Sequence, residues 1–367
     1  RGNLVVRIHG RLLEVPSAAD GVELTPFEVA DLSQGLLRLR RLAHRLADDP
    51  AWVAANGAWL RQDLRRWVRT NLRTGGAQAR FGEVYEAAFG SMIPKATLEE
   101  GLRQINSGPS LETMIANNGG LNQQRIEGGM TALCEALAND LGEVVRLGNP
   151  VTKVTHGDTA VVTLASGETV EARTVVSTLP PRLAVALEYD PPLPQWRRDV
   201  AEKVAPGNVI KAYLVYETPF WRERGLSGQS SSDEGAVRVT FDTTPADSTR
   251  GLLMGFFEGN EADSLAHRSL ETRRRAFVES AVHAFGEEAA EPSEYVERDW
   301  SAEQYTRGCH GAHFAPGIWT SNGPVLAASE GCLYWAGAEY STKFNGYMEG
   351  AVRSGEEVAA TIAVALI

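Results

Sequence analysis

The chain has 367 residues, 43% of them hydrophobic, and carries 36 Lys plus Arg against 47 Asp plus Glu, a formal net charge of −11. That length allows one or two domains with a large core, and the acidic balance argues against a nucleic-acid partner, whose phosphates require Lys and Arg in excess. Three cysteines, Cys134, Cys309 and Cys332, fit no CxxC spacing, which favours a reduced, cytoplasmic setting over a disulfide-stapled one, and no apolar run reaches the roughly 18 residues of a membrane span.

In chain order, "NLVVRIHGRLLEV" (3–15) predicts two short strands around a turn at His9-Gly10. "TPFE" opens a helix, with Thr25 as N-cap, Pro26 at the first helical position and Glu28 closing a capping box. Helical periodicity then runs to about residue 105, with Leu36, Leu37, Leu39, Leu42 and Leu46 on one apolar side and Trp52, Trp59, Leu60, Leu64 and Trp67 continuing it. A glycine-punctuated loop (117–129) precedes a helix at about 130–141. Residues 143–181 alternate with period two and predict a β-meander that "TVVSTLPP" ends in a short buried strand. A second β-rich block spans 207–260, a helix covers about 269–285, and the strand "LYWAG" leads into a final helix. This order predicts two interleaved domains in an α/β or α+β protein.

Two stretches could carry chemistry. Lys211 lies mid-strand in "NVIKAYLVY", on the face of Val209, Tyr213 and Val215. It reads either as a snorkelling lysine on an edge or surface strand, or as a lysine pointing into a functional cavity. "YTRGCHGAHFAPGIWT" (305–320) sets Cys309 beside His310 and His313. Without other context Cys309 is an inert thiol; no acidic or second histidine cluster supports a metal.

The stretch "YWAGAEYSTKFNGYMEGAVRSGEEVAA" resembles the C-terminal FAD-binding segment of the flavin-containing amine oxidases, the monoamine oxidase and putrescine oxidase family. "RGCHGAHFAPGIWT", "NVIKAYLVYETPFWRERGLSG", "RIEGGMTALCEALA" and "NPVTKV" resemble other segments of that family in the same order, so the likeness runs from about residue 80 to the end. It implies a two-domain fold, with residues 1–123 and 201–303 forming a helical-plus-sheet substrate domain and 124–200 and 304–367 a discontinuous FAD-binding domain. By the same resemblance, Lys211 holds a water against flavin N5. Tyr347 and His310 form the two walls of an aromatic cage, and Cys309 occupies the slot some members use for a covalent thioether. The Met348 backbone N–H reaches the flavin C2 carbonyl, Gly337, Ala338 and Glu339 run along the pyrophosphate and ribityl chain, Val151 meets adenine, and Gly128 and Gly129 lie near the phosphates. Gly346 and Gly350 are expected to clear space for the ring, and Gly355 to pack on a neighbouring strand.

The resemblance breaks in two places. The family begins with a βαβ unit carrying G-x-G-x-x-G, and this chain has no G-x-G. The FAD-binding domain is therefore expected to be incomplete: a separate chain supplies its first unit, or the unit has been removed, or the chain does not hold FAD, and a two-chain enzyme cut or encoded in two pieces is the first expectation. His310, smaller than a phenol and able to carry charge, departs from the greasy cage of a monoamine site. The expected activity is FAD-dependent oxidation of a primary amine, diamine or polyamine by O2 to an imine and then an aldehyde, with H2O2 released. The alternatives are an L-amino-acid oxidase, which requires an arginine to clamp the carboxylate, and a flavoprotein subunit active only with its partner. A homodimer is compatible with all three.

Overall fold

The protein is described by a computed structural model over residues 2–8, 10–15, 25–89, 96–109, 113, 124, 126–232, 234–309, 312–314 and 325–366. In chain order its elements are β1 (Asn3–Ile8), β2 (Arg11–Val15), α1 (Pro26–Asp48), α2 (Pro50–Leu60), α3 (Leu64–Asn71), α4 (Gly75–Phe89), α5 (Leu98–Ser107), α6 (Met130–Leu141), β3 (Val151–His156), β4 (Ala160–Leu164), β5 (Thr169–Ala172) and β6 (Val175–Ser177). They continue with α7 (Pro181–Ala184), β7 (Glu188–Asp190), α8 (Gln195–Glu202), β8 (Val204–Pro206), β9 (Val209–Tyr216), α9 (Phe220–Glu223), β10 (Leu226–Ser232), β11 (Val239–Asp242), β12 (Gly251–Glu258), α10 (Asn260–Ala266), α11 (Leu270–Phe285), β13 (Glu294–Asp299), β14 (Ala312–Phe314), β15 (Leu333–Trp335) and α12 (Met348–Ala365). This is the mixed α/β architecture the sequence predicts. Among the described residues no helix is long and apolar enough to cross a membrane.

Two compact units form. The first joins residues 1–25 to 206–310. Its seven-stranded sheet runs β13-β9-β12-β11-β10-β1-β2, antiparallel except where β1 meets β10. Strand alternation sends Ile210, Ala212, Leu214 and Tyr216 to one face, where they pack with Leu253 and Phe257 of β12 against Phe277, Ala281 and Phe285 of α11. Gly255 makes this close approach possible, since a Cβ there would lie 2.7 Å from the Phe277 ring. Ser269 caps α11, its hydroxyl accepting the Thr272 N–H at 3.2 Å.

The second unit joins 26–205 to 311–367. Helices α1 to α5 bury Leu39, Leu46, Leu60, Leu64, Trp67, Phe81 and Tyr85 in one cluster. Leu37 and Trp59 fall on the exposed side instead, because a residue next to a core position is rotated about 100° from it. α5 is closed at its N-terminus by a full capping box. The Thr97 hydroxyl accepts the Glu100 N–H at 3.2 Å, and the Glu100 carboxyl accepts from the Thr97 backbone while burial pushes its pKa up to about 7. The units divide the chain differently from the functional domains expected above. The helical stretch keeps company with the C-terminal segment because α5 is bonded to it: the Phe344 N–H donates to the Ser107 carbonyl at 2.7 Å, and Lys343 Nζ to the Asn106 carbonyl at 3.1 Å.

The predicted meander is real as far as β5, in a sheet ordered β5-β4-β3-β7. β6 is not its last strand. It pairs in parallel with β15, the Val175 N–H donating to the Cys332 carbonyl at 3.0 Å, and Val176 is 40% exposed, not buried. An apolar run gives no sign of a partner that arrives much later in the chain.

Candidate active site

The predicted cofactor residues Gly337, Ala338, Glu339, Gly346, Met348 and Gly350 converge around one turn of unit two, with Tyr347 among them. β15 ends at Trp335, and Gly337 follows at φ +132°, a conformation other residues rarely adopt. A short 3₁₀ turn at 338–340 leads into the loop 341–347. Asn345 Nδ2 ties that loop back on itself, donating to the Glu339 carbonyl at 3.1 Å and the Ser341 carbonyl at 2.9 Å. The Gly346 N–H donates to the Ala338 carbonyl at 3.1 Å. Phe344 and Gly346 both have positive φ, +50° and +79°; for phenylalanine this is strained and is held by the bonds on either side.

The loop delivers Tyr347 as the N-cap of α12, with no side-chain cap bond. Met348 is thus the first helical residue, its N–H at the partially positive end of the helix. Tyr347 packs against the helical cluster, its ring meets Phe344 edge-on at 6.5 Å, and burial raises its phenol pKa. Burial likewise raises the Glu339 carboxyl pKa.

Packing explains one of the two glycines inside α12 and not the other. A Cβ on Gly350 would sit 2.2 Å from the Phe344 carbonyl oxygen, so the clearance it provides is for the strained loop behind it. A Cβ on Gly355 would meet nothing within 4 Å, so the expected strand contact is not there among the described residues. The residue that does clamp α12 is Ser354, whose hydroxyl accepts the Gly337 N–H at 2.8 Å.

Lys211 and Cys309 belong to unit one. β9 is an interior strand, which removes the edge reading for Lys211. Its side chain stands on the face away from α11, between cross-strand neighbours Phe256 and Arg298. The ammonium lies 5.5 Å from the Tyr213 ring centroid and 5.9 Å from that of Phe256. Phe241 extends this half-buried aromatic face, edge-on to Phe256 at 6.5 Å. Cys309 is a half-buried thiol, anchored just ahead of β9 by its N–H donating to the Gly207 carbonyl at 2.9 Å.

The remaining predicted residues are more scattered. Gly128 and Gly129 form an exposed turn at φ +76° and +78° that heads α6 without a side-chain cap. Val151 opens β3, half-buried against the meander core. His310 lies outside the described residues. Among those described, no group of His, Cys, Asp and Glu could hold a metal ion.

Sequence reading missed Ser177 and Trp335, the last residues of β6 and β15. Ser177 Oγ and Trp335 Nε1 are buried with no hydrogen-bond partner among the described residues. They mark the carboxyl end of the parallel pair, where open α/β sheets bind ligands. Two orphaned polar groups, a side-chain-free Gly337 and an uncapped helix N-terminus suit a cofactor that brings phosphate or carbonyl oxygens.

A parallel strand pair ending in a glycine turn, followed by a helix whose N-terminus has no side-chain cap bond, is the kind of end at which nucleotide cofactors bind in α/β proteins. Residues 42–363 match the family described as flavin containing amine oxidoreductase. A flavin-containing monoamine oxidase, AofH of Mycobacterium tuberculosis, is 33% identical over 92% of this chain and 74% of its own length. Amine oxidase [flavin-containing] B of Canis lupus familiaris is 35% identical over 68% of this chain, which spans about half of that protein. The structure of wild-type putrescine oxidase bound to putrescine superposes with a TM-score of 0.89 at 26% identity, covering 99% of this chain and 81% of that one. Cyclohexylamine oxidase from Brevibacterium oxydans gives 0.84 at 25% identity, covering 100% and 81%. The chain belongs to the flavin-containing amine oxidoreductase family.

Proposed function

We propose that this protein oxidises an amine with FAD, passing the electrons to O2. The observation that carries the reading is the loop 341–347, held by α5 on one side and by residues 338–341 on the other, which delivers Tyr347 and the uncapped N-terminus of α12 together. FAD held there would supply the two-electron oxidation of the amine to an imine, which water hydrolyses to an aldehyde and ammonia, with O2 as the final acceptor and H2O2 as its product.

The chain's own residues do the rest. The Met348 N–H, at the positive end of α12, donates to a carbonyl that gains negative charge on reduction. Gly337, Ala338, Glu339 and Gly346 supply backbone along the cofactor, with Ser177 and Trp335 as added donors; burial favours the neutral form of the Glu339 carboxyl, which suits a neighbouring anion. Gly128 and Gly129 at the head of α6 face phosphate, and Val151 the adenine. Tyr347 gives the substrate a flat wall, with His310 as the second. Lys211 keeps a water and its proton in place on an aromatic face. Cys309 is the attachment point for a covalent flavin. The substrate is a primary amine or a di- or polyamine; putrescine is what the putrescine oxidase neighbour holds.

The test is spectroscopic and enzymatic. FAD added to the pure chain should give flavin absorbance that stays with the protein on desalting if the chain acts alone, and its absence would make the chain a subunit that requires a partner; a peroxide-coupled screen of mono-, di- and polyamines and amino acids should give turnover on amines. Activity restricted to amino acids would overturn the amine reading. Acid precipitation separates the two forms of attachment: colour left in the supernatant rules out the Cys309 bond.

A further inference from the structure

The loop 341–347 turns through left-handed backbone at Phe344 and Gly346. Gly346, at φ +79°, is the residue such a turn favours. Phe344, at φ +50°, is not: a bulky side chain rarely enters this region, and strain of that kind persists only where the surroundings over-determine it. Glycine would make the same turn with less strain, so the phenyl ring is the feature that needs a reason.

The groups that hold Phe344 all belong to unit two. On one side stands the end of α5, where the Phe344 N–H donates to the Ser107 carbonyl at 2.7 Å and Lys343 Nζ to the Asn106 carbonyl at 3.1 Å. Those carbonyls are available because α5 has no left-handed cap; Gly108 follows it in extended backbone. On the other side stand the first turns of α12. The Phe344 carbonyl accepts the Tyr347 N–H at 2.9 Å and lies over Gly350, where a Cβ would be 2.2 Å away. The Arg353 guanidinium stands 5.5 Å from the centroid of the Phe344 ring and is paired with Glu349 at 2.7 Å. The same ring meets Tyr347 edge-on, at 6.5 Å and an interplanar angle of 80°.

We propose that Phe344 is a positioning residue, its strained backbone braced between α5 and α12 so that its ring fixes the orientation of Tyr347. The assignment rests on the reading of Tyr347 as one wall of the amine site and adds what holds that wall. An edge-on ring from its own turn narrows the rotamers open to Tyr347 before a substrate arrives, so less freedom is lost on binding. Lys343 acts one step further back, tying the loop to the end of α5 and so supporting Phe344.

The experiment compares Phe344→Gly, which keeps the left-handed turn and removes the ring, with Phe344→Tyr, which keeps the ring. Tyr347 is read in two ways that need no flavin: hydrogen exchange at its N–H, and the fluorine spectrum of chain labelled with 3-fluorotyrosine, its line assigned by Tyr347→Phe. Phe344→Gly should leave the urea midpoint unchanged, because relief of backbone strain offsets the lost ring contacts. It should speed exchange at Tyr347 by on the order of tenfold and move the Tyr347 fluorine line toward its position in unfolded chain. In the peroxide assay kcat/KM for the best amine should fall by on the order of 10²-fold. Phe344→Tyr should restore all three, and Lys343→Met should move them in the direction of Phe344→Gly but less far. The proposal is overturned if Phe344→Gly leaves the exchange and fluorine line of Tyr347 as in wild type, or if Phe344→Tyr fails to restore them. It is also overturned if loss of the ring unfolds the chain while Lys343→Met leaves Tyr347 unchanged. A chain that turns over no amine counts against the proposed function alone, since exchange and fluorine signal still decide the role of Phe344.

Discussion

Helices α11 and α12 are alike in length and apolar content, yet among the described residues one is buried along its length and the other is buried at only two positions. α11 buries Phe277, Ala281, Ala284 and Phe285 against a seven-stranded sheet. α12 touches its unit through Gly350 and Ser354 near its N-terminus, and its C-terminal half stands in solvent. The first is held by area, at roughly 25 cal/mol per Å² of apolar surface. The second is held by close backbone approach and hydrogen bonds, which fix where its N-terminus points. On the proposed function this helix has to present its first N–H groups, which requires exact placement at one end only.

The contrast can be broken by mutation. The largest expected effect is Phe277→Ala, which removes a fully buried ring and should cost about 3–5 kcal/mol in urea unfolding; Val364→Ala on α12 should stay within about 0.5 kcal/mol. Equal losses would mean α12 is packed as α11 is. Gly350→Ala comes next. Its methyl would strike a backbone carbonyl that cannot swing aside, so a loss of about 1–3 kcal/mol or more is expected, together with weaker flavin retention on desalting. Gly355→Ala, five residues on in open space, should instead stabilise the helix by about 0.5–1 kcal/mol, and a destabilised variant would contradict the open surroundings of that position.

Lys211→Met tests the aromatic face of the other unit. Stability should change by less than about 1 kcal/mol, because half-exposed cation–π contacts are weak, while turnover on the best amine should fall by on the order of 10²-fold, measured as initial peroxide production.

The smallest effect is a pH slope. The Glu100 pKa is raised in the fold to about 7, so the native chain holds a proton that the unfolded chain has already released. Its contribution is full below the unfolded carboxyl range, near pH 4.5, and is lost as pH rises to about 7. Glu100→Gln keeps the capping box but removes the titration. Relative to wild type it should gain stability between pH 5 and 7, at no more than about 1.4 kcal/mol per pH unit. A flat difference across that range would show that Glu100 ionises normally.

Much of this was readable from residue order. The alternation of β9 and the hairpin of β1 and β2 are local, so short-range pattern places them. Leu37 and Trp59 were placed on the wrong side because a leucine- and tryptophan-rich stretch offers more apolar positions than one helical face can bury. The convergence of Gly337, Gly346, Tyr347 and Met348 was legible through family likeness. Ser354, Asn345 and the orphaned Ser177 and Trp335 were not, since a small polar residue announces nothing until the chain it bonds to is folded beside it.

The sequence by itself determined the element types, the interior character of β9's alternate residues and the family, because those depend on periodicity and on motifs within one segment. Only the tertiary structure decided that β6 pairs with β15 and not with the meander, that Gly350 clears a carbonyl, and that Ser354 clamps α12 to Gly337. Each of these depends on which distant segment arrives alongside, and that is settled by backbone hydrogen bonding and close packing between parts of the chain that periodicity cannot connect.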